Sequence, residues 1–144
     1  MFIFLLRHGD AEAHRIDRER SLSEFGQQQI WQTATKVREK NCQIEQVFHS
    51  GLKRARESAE IMTRELSLNC TFSEVTGLTP NDDIHHWAQQ INRLEKSTLF
   101  VGHNPYMGAL LGHLTQQRLS FALGQIVCLD IIANKANLLW TLKP

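Results

Sequence analysis

Three short apolar runs, each ending in a cluster of polar residues, constrain this chain more than any other feature. Phe2–Leu6 runs into Arg7-His8-Gly9, Gln46–His49 into Ser50-Gly51-Leu52-Lys53-Arg54, and Thr98–Val101 into Gly102-His103-Asn104. The first run is continuous rather than alternating, as in a strand covered on both faces of a parallel sheet. Segments of helical period lie between the runs, and strands alternating with helices build α/β layers. In an open sheet of that kind ligands bind at the carboxyl ends of the strands. The three polar clusters therefore share one structural address.

The expected fold is a three-layer α/β arrangement on a mainly parallel sheet with one antiparallel strand, with residues 1–144 forming one domain. Ser21 and Glu24 are spaced as a capping box for a helix that carries Ile30, Ala34 and Val37 on its buried stripe and ends near Lys40-Asn41. A second helix is expected over Lys53–Leu66, with Ala55, Ala59, Met62 and Leu66 spaced for one face. Cys70–Val75, mixed in polarity, reads as a strand toward an edge. Thr79–Asp83 is a turn before a third helix with the stripe Ile84, Trp87, Ile91 and Leu94. Asn104-Pro105 reads as a cap followed by a first-turn proline, opening a helix to about Leu114. Ile126–Ile132 and Leu138–Leu142, joined by Ala133–Asn137, form a terminal hairpin.

Composition narrows the function classes. Sixteen Lys and Arg against fifteen Asp and Glu give a formal charge of +1, which argues against a nucleic-acid binder. The mixed charges of His14–Arg20 read as a polar loop rather than a basic arm. The apolar start is too short for a membrane helix and lacks the basic region of a signal peptide. Three separated cysteines make neither a metal pair nor a disulfide framework, so a cytoplasmic protein is expected. His85 and His86 are adjacent on a helix and point apart, so they read as surface residues rather than metal ligands. Three further histidines, His14, His49 and His113, stand outside any motif and are expected to be structural or exposed.

Two arginines and two histidines brought to one sheet edge make a cationic pocket. Arginine forks match the oxygens of a tetrahedral oxyanion, and no acidic cluster accompanies them to hold Mg²⁺. Phosphoryl binding through protein donors alone, with no metal or cofactor, is the chemistry this pattern implies.

Arg-His-Gly after the first strand, Ser-x-Leu-x-Arg-Ala opening a helix and a late Gly-His resemble the histidine phosphatase superfamily, the phosphoglycerate-mutase-like family. The resemblance spans essentially the whole chain. Arg7–Ala11, Leu78–Pro80 and Val101–Pro105 are similar to the SixA-type phosphohistidine phosphatases, a minimal branch without the large insertions of the mutases. The resemblance implies His8 as nucleophile, with Arg7, Arg54 and His103 as its catalytic and phosphate-binding partners. Gly9, Ser50 and Asn104 would assist in binding phosphate. It also implies a phosphohistidine-bearing protein as substrate, an enzyme intermediate phosphorylated on histidine, and a monomer.

Two departures stand out. Ser50-Gly51 replaces the family's Ser-Pro, and Gly77 falls where many members carry a catalytic glutamate. Asp10, Asp82 and Asp83 are the nearby carboxylates left as substitute acids, with Asp10 the first candidate. The alternatives are a phosphatase or mutase acting on a small phosphomonoester, and a non-catalytic phosphate-binding domain.

Overall fold

A computed structural model describes residues 1–144. Six strands form one sheet: β1 (Phe2–Arg7), β2 (Gln46–His49), β3 (Thr71–Glu74), β4 (Thr98–Gly102), β5 (Ile126–Ile132) and β6 (Lys135–Leu142). Their order is β3-β2-β4-β1-β5-β6. β1 pairs in parallel with β4, β4 with β2, and β2 with β3. β5 runs antiparallel to both of its neighbours and is the one reversed strand. Four helices cover the sheet: α1 (Glu24–Arg38), α2 (Lys53–Glu65), α3 (His85–Ile91) and α4 (Tyr106–Thr115).

The period-two alternation of strand side chains explains the three layers. Phe4, Leu6, Val47, Leu99, Val101 and Cys128 pack with Ile30, Ala34 and Val37 of α1 and with Ala55, Ala59 and Met62 of α2. The residues between them, Ile3, Leu5, Phe100, Val127 and Leu129, pack with α3 and α4 through Trp87, Ile91, Met107 and Leu110. Because both faces are covered, the central strands are apolar at nearly every position.

Several boundaries differ from expectation. Ser23, not Ser21, caps α1: its hydroxyl accepts from the Gly26 amide at 2.9 Å. Asn104 does not cap α4, which starts at Tyr106. Its side-chain amide instead donates to the Phe121 carbonyl at 2.9 Å. α3 stops at Ile91, so Leu94 packs from beyond its end. The hairpin loop is shorter than the expected Ala133–Asn137, because Ala133 and Asn134 take positive φ values of 51° and 62° and close a tight turn. β6 therefore begins at Lys135. β3 lies at the sheet edge, as its mixed polarity implies. No helix is long and apolar enough to cross a membrane.

Candidate active site

The strand order brings the carboxyl ends of β2, β4 and β1 side by side. Arg7 is in register with Gly102, and the His8 amide donates to the Gly102 carbonyl at 3.0 Å. His8 and His103 leave adjacent strands with ring centroids 5.0 Å apart. Arg54 enters from the first turn of α2. Together with Asp10, Ala11, Arg20, Pro80, Asn104 and Leu123, these residues line a cavity of about 290 Å³.

Hydrogen bonding fixes the protonation of each imidazole. His8 Nδ1 lies 2.6 Å from the Gly9 carbonyl oxygen, which can only accept. Nδ1 therefore carries the proton, and in the neutral ring Nε2 keeps a free lone pair. Burial, the main cause, lowers the His8 pKa to about 4, with Arg54, Arg7 and Arg20 adding to the effect and the Gly9 bond opposing it. His8 is thus a neutral base near pH 7.

His103 takes its tautomer from Ser50. Ser50 Oγ accepts from the Leu52 amide at 3.3 Å and lies 2.6 Å from His103 Nε2. A hydroxyl can accept twice, but His103 Nε2 is the one acceptor that the Ser50 proton reaches, so the serine donates to Nε2, which places the His103 proton on Nδ1. That Nδ1 is buried without a protein partner. Burial first, and then His8, Arg54 and Arg7, lower the His103 pKa to about 2.

The arginines are held from behind. Arg7 Nη1 donates to the Phe121 carbonyl at 2.9 Å, the same oxygen that accepts from Asn104. Arg54 donates to Asp17 through Nη1 and Nη2. Nε of each guanidinium is buried and unpartnered. Four buried polar atoms without a protein partner therefore sit on residues lining one cavity: the donors Arg7 Nε, Arg54 Nε and His103 Nδ1 and the acceptor Asn104 Oδ1. With permanently charged guanidiniums beside a bare imidazole nitrogen, the arrangement can hold a phosphoryl group there.

The remaining expected residues divide. The Gly9 amide donates to Ser58 Oγ at 3.1 Å, and a Cβ at Gly9 would lie 2.5 Å from the Gly26 carbonyl oxygen. Gly9 therefore acts through its carbonyl and its lack of a side chain. Ser50 acts through His103, and the Asn104 amide is taken by Phe121. Asp10 reaches the cavity, with its carboxylate accepting from Ser23 Oγ at 2.7 Å.

Asp82 is tied up in a turn, accepting from Thr79 N and Oγ1 at 2.8 and 2.6 Å. Asp83 is exposed and pairs with His85 at 2.7 Å. Gly77 takes a φ of +89°, and a Cβ there would lie 3.1 Å from Trp87 Nε1. Sequence reasoning missed Arg20 and Asp17, whose loop has no periodicity and meets α2 only through the fold.

A cationic, two-histidine anion pocket at the carboxyl edge of a three-layer sheet defines a phosphoryl-transfer class of site. The sequence pattern of the histidine phosphatase superfamily, branch 1, matches residues 3–77, and the chain belongs to that superfamily. No curated protein matches the sequence significantly.

Among solved structures, the protein histidine phosphatase SixA complexed with tungstate aligns with a TM-score of 0.93 and 24% identity, over 99% of this chain and 97% of the other. A phosphoserine phosphatase from Entamoeba histolytica bound to 3-phosphoglyceric acid aligns at 0.69 and 16% identity, over 97% and 95%. A mycobacterial glucosyl-3-phosphoglycerate phosphatase aligns at 0.67 and 14%, over 96% and 98%. At these identities the likeness is one of fold.

Proposed function

We propose that the protein is a phosphohistidine phosphatase acting on a phosphorylated protein, with His8 as nucleophile. In this reading the Nε2 lone pair attacks phosphorus while the P–N bond of the substrate breaks. The released electron pair stays on the substrate imidazole, which leaves neutral with its own proton. Water then attacks the phosphorus carried by His8, returning the ring and releasing inorganic phosphate. Arg7, Arg54 and His103 hold the phosphoryl oxygens through both steps, and no metal or cofactor is required.

One observation carries the choice of substrate. Asp10 is the only carboxylate among the residues lining the cavity, and Gly77 supplies none. An alkyl phosphate expels an alkoxide, and protonating that oxygen is typically worth 10²–10⁴-fold in rate. Imidazole, with an unperturbed pKa of about 6.5, departs without that help. The close structural likeness to SixA over the full chain agrees with this reading.

The second reading, a small-phosphomonoester phosphatase or mutase, draws on Asp10 as substitute acid. A side-by-side assay at one pH tests both. We expect kcat/KM on a phosphohistidine protein to exceed that on 3-phosphoglycerate by at least about 10²-fold. An acid-labile phosphoryl label should be trapped on the His8 peptide, and His8→Ala should be inactive. Efficient alkyl-ester hydrolysis that disappears in Asp10→Asn would establish the second reading instead. Absence of turnover on every substrate would leave only a phosphate-binding domain.

A further inference from the structure

Arg54 is the most enclosed charged side chain of the cavity, and the group that holds it is an exposed residue from a different segment. Asp17 opens a short 3-10 turn, Asp17–Glu19. Its main-chain oxygen accepts from Arg54 Nη1 at 3.1 Å, and its Oδ2 accepts from Nη2 at 3.3 Å. The other carboxylate oxygen lies 3.6 Å from Nη1 of Arg20, which also lines the cavity. The Arg54 side chain is 6% exposed, whereas that of Asp17 is 66% exposed. Asp17 therefore reaches in from the rim and grips the far end of a buried fork.

A guanidinium is planar, so two contacts at its Nη atoms fix its plane and with it the direction of the Nε–H bond. In Arg54 that Nε–H is buried and unpartnered. Without the side-chain contact, only the main-chain oxygen would restrain the fork. The carboxylate also places one negative charge between two of the three cavity arginines.

We propose that Asp17 is a positioning residue for Arg54, fixing the plane of its guanidinium at the wall of the cavity. The inference rests on the cavity being a phosphoryl site and is independent of which phosphorylated substrate is used.

The test reads Arg54 with and without an anion. By NMR of the free protein, the Arg54 Nε–H signal should be sharp in wild type and broadened by exchange in Asp17→Ala. Asp17→Ser, too short to reach Nη2, should behave like Asp17→Ala and serves in its place if the alanine variant is unstable.

Titrated with inorganic phosphate, Asp17→Ala should bind about three- to tenfold more weakly, a range set by one charge-assisted bond with an exposed partner. Asp17→Asn keeps an accepting oxygen and should stay within about twofold. In an Arg54→Ala background, Asp17→Ala should change phosphate binding by less than about twofold, since the group it acts through is gone.

An unaltered Arg54 signal in Asp17→Ala, or an equal loss of affinity with Arg54 already removed, would overturn the proposal. Failure of the wild type to bind phosphate would instead strike at the reading of the cavity, because the NMR comparison needs no ligand.

Discussion

The neutrality of His8 couples the chemistry of the pocket to the stability of the fold. In the unfolded chain an imidazole titrates near pH 6.5, whereas in the folded protein His8 titrates at about 4. Between those values the unfolded state binds more protons, so stability falls as pH falls. Integrating one such group from pH 7 to pH 4 gives a loss of about 3 kcal/mol, at roughly 1.4 kcal/mol per pKa unit. His8 is only 8% exposed, so solvent screening reduces that figure modestly.

Other groups titrate over the same range, and the comparison must isolate one of them. Urea unfolding of wild type and His8→Ala at pH 7, 6, 5 and 4 does so, because the difference between the two curves contains the His8 contribution. The stability of wild type relative to His8→Ala should fall by about 2–3 kcal/mol from pH 7 to pH 4, with most of the change below pH 6.5. A difference that stays flat would mean that His8 is as easily protonated folded as unfolded. At pH 7 such a ring is still about three-quarters neutral, so burial would no longer be what keeps the Nε2 lone pair free.

Two further outcomes follow from the hydrogen bonds of the site. Arg54→Ala should lower kcat/KM about 10–100-fold, from charge-assisted bonds worth about 1.5–3 kcal/mol each. Arg54→Lys should recover only part of it, because the fork is lost, and a fully active lysine variant would show that charge alone suffices. Ser50→Ala frees His103 to place its proton on either nitrogen and should lower kcat/KM roughly tenfold, the worth of one buried hydrogen bond. Steady-state assays with an unchanged near-UV spectrum check both, and an unaffected Ser50→Ala would refute the tautomer argument.

What was legible in the sequence and what was not separate by the range of the interaction that decides each feature. The continuous apolarity of Phe2–Leu6 announced a strand buried on both faces, and the structure covers both. Arg7, His8, Arg54 and His103 are legible because each stands at or shortly after a strand end, and the strand order converges those ends on one cavity.

Ser21 and Ser23 stand two residues apart, and spacing to Glu24 alone favours the first as the cap of α1. Only the Gly26 amide selects the second. Asn104 looked like a cap from its neighbour Pro105, yet the Phe121 carbonyl, seventeen residues on, claims its amide. Asp17 and Arg20 were hidden for the same reason. The partner of Asp17 is thirty-seven residues away, and no local period announces such a contact.

Gly77 shows how one backbone position bears on both fold and substrate. Its φ of +89° is unfavourable for a residue with a side chain, and the Trp87 indole nitrogen would lie 3.1 Å from an added Cβ. The indole cannot move aside freely: Trp87 is 8% exposed, and its Nε1–H donates to the Thr76 carbonyl at 2.8 Å. A glutamate introduced here would have to change the local backbone or displace the tryptophan before reaching a leaving group. Left-handed backbone alone costs roughly 1–2 kcal/mol for a residue with a Cβ. Gly77→Glu is therefore expected to lower stability by at least about that amount while raising alkyl-phosphate hydrolysis less than about threefold, far short of the 10² that a working general acid supplies. Urea unfolding and a 3-phosphoglycerate assay on the same preparation read both quantities. Unchanged stability together with a hundredfold gain would show that position 77 can deliver a proton to the leaving oxygen. The absence of an acid at this position would then be a matter of one side chain rather than of the backbone that carries it.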